Sequence, residues 1–118
     1  MSKRSAVFGA VILLLGLMGF SLYQLGAGNR LALSLNQAHK SEVLMYGASW
    51  CPACAATREF LNARNQPFLE LDMENDPQAA REFAQFGGHG IPLVLIDGRV
   101  IRGHSPAELD RLLARLEK

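Results

Sequence analysis

The sequence predicts an α/β protein. It is a four-stranded mixed sheet with helices on both faces, in the order βαβαββα, behind an N-terminal transmembrane helix. Three observations lead there. The first is an uncharged, almost wholly apolar run of 20 residues, AVFGAVILLLGLMGFSLYQL, from Ala6 to Leu25. The second lies beyond residue 42, where short apolar runs alternate with segments whose apolar residues recur at helical spacing. The third is a pair of apolar runs around Asp97-Gly98, a dipeptide that favours the tight turn of an antiparallel hairpin.

As a helix the apolar run reaches about 30 Å, the thickness of a bilayer's hydrocarbon core. Lys3 and Arg4 precede it, and Tyr23 stands where an interfacial aromatic belongs. The apolar core of a cleaved signal peptide is shorter, roughly 7–15 residues, and ends at a small-residue cleavage site. Gly26-Ala27-Gly28 imitates such a site poorly. Residues 1–28 are therefore read as a membrane anchor (an uncleaved signal), 29–41 as a linker and 42–118 as the domain. A cleaved, secreted form is the alternative. Lys3, Arg4 and the terminal amine form a tighter basic cluster than Arg30 and Lys40 on the other side. That asymmetry favours the N-terminus inside and the domain outside the cytoplasm, periplasmic in a bacterium. A cytoplasmic domain is the alternative orientation.

Residues 1–41 carry four basic residues and no acid, whereas 42–118 carry eight basic and eleven acidic residues. No basic patch interleaved with aromatics points to nucleic acid. The domain is small but long enough to bury a core.

Gly28 to Glu42 fits an alternating pattern through Leu31, Leu33 and Leu35 or a continued helix equally, and is read as a short stalk. Val43 to Tyr46 is an apolar run closed by Gly47, suited to a buried strand. A helix follows from Pro52, whose missing N–H costs nothing in a first turn, with Ala56, Phe60 and Leu61 on its apolar side and an end near Asn65. Phe68 to Leu71 gives the second strand. Asp76 caps a helix with Pro77 first, Phe83 and Phe86 in the core, and Gly87-Gly88 as its stop. The hairpin follows. Ser105, Pro106 and Glu108 read as a capping box opening the last helix, with Leu109, Leu112, Leu113 and Leu116 as its buried stripe. The first two strands, joined through a helix, are expected parallel.

The only two cysteines, Cys51 and Cys54, fall where the first strand hands over to the first helix. The loop between them is too short to staple a domain. At a helix N-terminus, free N–H groups and the positive dipole end stabilise a thiolate, the nucleophile of thiol–disulfide exchange. Cys51 is expected to attack, Cys54 to resolve the mixed disulfide from the next turn, and Pro52 to stiffen the turn between them.

The stretches SWCPAC, GIP (Gly90 to Pro92), Asp97-Gly98 and RGHSPAEL, in this order and spacing, resemble the thioredoxin-fold redox proteins. From about Glu42 onward the size and element order are similar to those of glutaredoxins. The resemblance implies a thioredoxin-like fold and a thiol–disulfide oxidoreductase that works without a dissociable cofactor. It also implies a cis Pro92 facing the cysteines and an Ile91 whose backbone takes an extended substrate, with Trp50 and Pro52 on the docking surface.

Departures shift the partner. Glutaredoxins that bind glutathione carry Lys where this chain has Ala48 and Thr where it has Gly90, and they follow the last hairpin with Gly-Gly and Asp where it has RGHSP. The glutathione anchors are thus largely missing. Trp50 and GIP resemble thioredoxin instead. A protein dithiol or disulfide, with another membrane redox protein as one candidate, is favoured over glutathione. The buried acid of thioredoxins is replaced by Met45, which takes no proton. Arg58 reads as a solvated helix residue, and His89 and His104 as loop histidines near the site.

No metal site is expected within the chain. Tetrahedral zinc wants four ligands, there is no second C-x-x-C, and His39, His89 and His104 are scattered. Two alternatives remain: a tethered metal or iron–sulfur carrier using the same thiolates across two chains, and a redoxin-fold adaptor whose cysteines matter little.

Overall fold

The computed structural model describes residues 3–117. Met1, Ser2 and Lys118, the outer ends of the expected anchor and domain, lie outside them. The elements are α1 (Lys3–Ala38), β1 (Val43–Gly47), α2 (Pro52–Ala63), β2 (Leu69–Asp72), α3 (Pro77–Ala84), β3 (Leu93–Ile96), β4 (Arg99–Arg102) and α4 (Pro106–Leu116). The sheet order is β2-β1-β3-β4. β1 and β2 are parallel, with Leu44 opposite Leu69. β3 runs antiparallel to β1 and β4 antiparallel to β3.

Side chains alternate across a strand, and both faces of this sheet are covered. That is why β1 and β3 read as unbroken apolar runs. Leu44, Tyr46, Leu93 and Leu95 pack on one face with Phe83 and Phe86 from the α3 region and Ala32 and Leu35 of α1. Val43, Met45, Val94 and Ile96 pack on the other with Leu61 of α2 and Leu109, Leu112 and Leu113 of α4. The hairpin turn has positive φ at both Asp97 (44°) and Gly98 (81°), as a two-residue type I′ connection requires.

Two expectations are corrected. The stretch 29–41 is not a free stalk. α1 continues unbroken to Ala38, and Ala32, Leu35 and Asn36, spaced to share one helix side, are buried against the sheet. The capping box at α4 does not form either. Ser105 occupies the cap position without a side-chain cap bond, and the Glu108 carboxylate instead accepts from Arg111 at 2.7 Å. Asp76 does cap α3, accepting from the Gln78 and Ala79 amides. α2 ends at Ala63, just short of Asn65, which turns to a left-handed φ of 53°.

The seam between α1 and the sheet is polar at its centre. The Asn36 side-chain amide donates to the carbonyls of Ser41 (2.8 Å), Glu42 (3.1 Å) and Leu95 (3.1 Å), and its oxygen accepts from the Gly98 amide (3.1 Å). One side chain thus binds α1 to the entry of β1, to β3 and to the hairpin turn. Nearby, Glu82 of α3 accepts from the Tyr46 hydroxyl (2.6 Å), Gln78 Nε2 (3.1 Å) and His39 Nε2 (3.0 Å). Burial alone would raise the Glu82 carboxyl, but these bonds outweigh it and hold the group below the usual carboxylate range.

Replacing Asn36 with Ala removes all four bonds and leaves the Ser41 carbonyl and the Gly98 amide without their partner, while the Glu42 carbonyl keeps the Asp97 amide. A loss of about 3 kcal/mol is expected from the size of such penalties, read as a lowered midpoint in denaturant unfolding of the full chain. A midpoint unchanged from the parent contradicts the role given to this side chain.

Candidate active site

β1 delivers the chain to one end of the sheet at Gly47, and α2 begins there at Pro52. Cys51 is the N-cap. Its backbone is extended (φ −85°, ψ 114°), and its Sγ accepts the Cys54 amide at 3.1 Å. A thiol here does the work of a capping oxygen, and an anionic sulfur formed at this spot faces the positive end of the helix.

The two thiols, both free, are unequal. Cys51 keeps 5% of its surface exposed, whereas Cys54 has none. Burial, and then the contact with Cys51, push the Cys54 thiol up to about 11. Gly47 makes room for it: a Cβ on Gly47 would stand 3.0 Å from the Cys54 Sγ.

Ile91 packs on the cluster of Ala48, Cys51 and Cys54. Pro92 is buried, the Ile91–Pro92 bond is cis, and β3 starts at the next residue. Trp50 is 64% exposed beside Cys51, its Nε1 donating to the Glu74 carboxylate. Pro52 is exposed on the same rim. Cys51, Cys54 and Ile91 are therefore brought together, with Trp50 and Pro52 flanking them.

The histidines are not gathered here. His39 serves Glu82, and His89 Nδ1 pairs with the carbonyl of Gly87 on an exposed loop. His104 Nδ1 lies 2.9 Å from Thr57 Oγ1, and that hydroxyl donates to the Ala53 carbonyl. Met45 is fully buried on the face opposite α1. Among the described residues, no group of three or more His, Cys, Asp or Glu is placed to hold a metal.

Three residues near the pair do more than the sequence reading gave them, Arg58 among them, which it took for a solvated helix residue. Arg58, one turn beyond Cys54, is bound by Glu70 of β2 through both carboxylate oxygens. Its charge opposes the rise at Cys54. Its spacing from Cys54 was the available signal; the partner on β2 was not visible in sequence. Thr57, wholly buried under the helix start, is the third. Arg58, Glu70 and Asp72, with Gly47, Ala48 and Ser49, line a recess of about 320 Å³ beside the cysteine loop.

A model of the glutaredoxin family matches residues 43–101, half of the chain. The chain belongs to the glutaredoxin family. A glutaredoxin-like 8.6 kDa protein of a rubredoxin operon in Clostridium pasteurianum is 30% identical over 74 residues, covering 62% of this chain and 99% of that one. Among solved structures, the thioredoxin-like protein BC3987 is 30% identical, with a TM-score of 0.56 over 59% of this chain and 97% of its own. A glutaredoxin from Archaeoglobus fulgidus is 27% identical, with a TM-score of 0.54 over 61% of this chain and 85% of its own. The fold of this glutaredoxin is thioredoxin-like, and its chemistry is of the thiol–disulfide oxidoreductase type. α1 precedes the matched region, and none of its most apolar window is buried in the protein.

The inequality of the thiols sets an order of reaction. Alkylation of the reduced protein at neutral pH is expected to modify Cys51 first. The Cys54 rate should climb only as pH approaches about 11, where its thiolate forms. Peptide mapping by mass spectrometry reads this, and equal rates at neutral pH contradict it.

Proposed function

We propose that this glutaredoxin is a membrane-tethered thiol–disulfide oxidoreductase in which Cys51 is the nucleophile, Cys54 the resolving thiol and a protein dithiol or disulfide the partner. The observation that carries the reading is the capping bond. It holds the Cys51 sulfur at the helix N-terminus, with the protonated Cys54 directly behind it.

The Cys51 thiolate attacks one sulfur of the partner's disulfide. The partner's other sulfur leaves as a thiolate and takes up a proton. Cys54 then gives up its proton and attacks the Cys51 sulfur, and the partner's second sulfur departs as a thiolate. Two electrons and, net, the one proton that Cys54 released pass to the partner, which is left with one thiol and one thiolate, and Cys51–Cys54 becomes a disulfide. The reverse sequence oxidises a partner dithiol. The raised Cys54 pKa keeps the second thiol neutral beside the Cys51 thiolate, so that Cys51 is the sulfur that attacks first. Met45 stands where an acid would serve and takes no proton, so the Cys54 proton leaves to water or to another group.

Trp50, Pro52 and Ile91 form the docking rim over the buried Pro92, with the Ile91 backbone paired to an extended partner segment. A protein partner is favoured over glutathione on charge. The recess beside the cysteines offers one cation, Arg58, already bound by Glu70, together with Asp72. The carboxylates of the tripeptide would meet two acids there.

Residues 6–25 are proposed to cross the bilayer and 42–118 to form the redox domain, outside the cytoplasm. Their support is a helix with mean hydropathy 2.2 over its most apolar window and large apolar side chains exposed from Val7 to Tyr23.

Cys51→Ser should reduce exchange with a model disulfide to background. Cys54→Ser should accumulate mixed disulfides with partner proteins on non-reducing gels. Exchange retained by Cys51→Ser, or trapping by that variant instead, contradicts the assignment.

A further inference from the structure

The direction in which α1 leaves the domain can be followed residue by residue. The cysteine loop follows the C-terminal end of β1, and Tyr46 at that end lies opposite Leu93, which lies opposite Arg102. The start of β3 and the end of β4 therefore share the cysteine end of the sheet. The Asp97-Gly98 turn marks the other end.

α1 touches both ends in order. Near its C-terminus, Asn36 bonds the Gly98 amide and the Glu42 carbonyl, and the Leu33 Cβ would stand 3.0 Å from a Cβ on Gly98. Toward its N-terminus, Gln24, Ala27, Gly28 and Leu31 line a recess with Phe86 and Arg102. The helix is still beside the turn at Asn29, whose carbonyl would stand 3.5 Å from a Cβ on Gly98, and it climbs toward the cysteine end from Leu33 back to Gln24. That stretch is about 14 Å along the helix axis at 1.5 Å per residue. The helix runs on past Gln24 along that course as far as Lys3, in a molecule 65 Å long and 34 by 26 Å across.

The boundary of the apolar segment falls at the same level. Arg30 reaches toward the apolar segment and lies over the Tyr23 ring at 5.9 Å, a pairing suited to the membrane–water interface. Trp50, on the cysteine rim, is exposed.

We infer that α1 holds the domain with its cysteine end facing the bilayer surface, so that the pair exchanges with thiols or disulfides that an integral membrane protein presents at the membrane–water interface. This rests on the proposal that α1 spans the bilayer. A domain hung the other way up would offer its cysteines to soluble partners. Here the bilayer covers that approach, and a partner must reach the Trp50–Ile91 rim from within or along the membrane.

Trp50 is the only tryptophan of the chain, so its emission reports the height of the site without labelling. The full chain, reconstituted into phosphatidylcholine vesicles containing a dansyl-headgroup lipid, would be floated and its Trp50-to-dansyl energy transfer measured. Flotation with strong transfer, several-fold above that of the same vesicles mixed with free tryptophan, is the expected result. Flotation with transfer near that baseline overturns the orientation and leaves the anchor standing. Failure to float overturns the anchor and the orientation with it.

Discussion

The hydrogen bond from the Cys54 amide to the Cys51 sulfur is where fold and chemistry meet. A helix must start somewhere, and its first amides need acceptors. This chain meets that need with a thiol. The choice draws the rest of the site into place. β1 has to end on a residue without a side chain, because the Cys54 sulfur fills the space above Gly47. Ile91 closes the other side. The amide donated to Cys51 belongs to the second cysteine, so the spacing of two residues between them is set by helix geometry.

A second constraint ties this site to the long helix. α1 leaves the sheet only after Asn36 has paired with β1's entry, β3 and the hairpin turn, and Glu82 has gathered Tyr46, Gln78 and His39. Asn36, Tyr46 and Glu82 are polar groups buried in an apolar layer, and each has its partners there. The consequence is directional. A helix held at so many points has little freedom to swing, and it fixes which end of the domain faces the apolar segment.

Much of the fold was legible in the sequence for reasons the structure makes plain. β1 and β3 are apolar without alternation because both sheet faces are covered, and Asp97-Gly98 supplies the two positive φ angles of a hairpin. The cysteine pair was legible from its position at a strand-to-helix junction. What escaped was mostly long-range. Arg58 and Glu70 are twelve residues apart and meet only across α2 and β2. Thr57 and His104 are farther apart still. The continuation of α1 was present in sequence as Ala32, Leu35 and Asn36 on one helix side. The alternating Leu31, Leu33 and Leu35 obscured it, and an asparagine does not announce itself as core. At Ser105 the motif was present and neither of its bonds forms: the hydroxyl makes no cap bond, and the Glu108 carboxylate pairs with Arg111.

The central claim is that Cys51 and Cys54 form one reversible two-electron couple. Equilibrating the full chain against graded dithiol–disulfide buffers and counting free thiols tests it directly. The account predicts that both thiols disappear together in a single transition, tenfold in ratio for about 30 mV, and return on reduction without loss of any bound metal. Thiols that titrate separately, that stay free across the whole range, or that are held by copurified metal would contradict it.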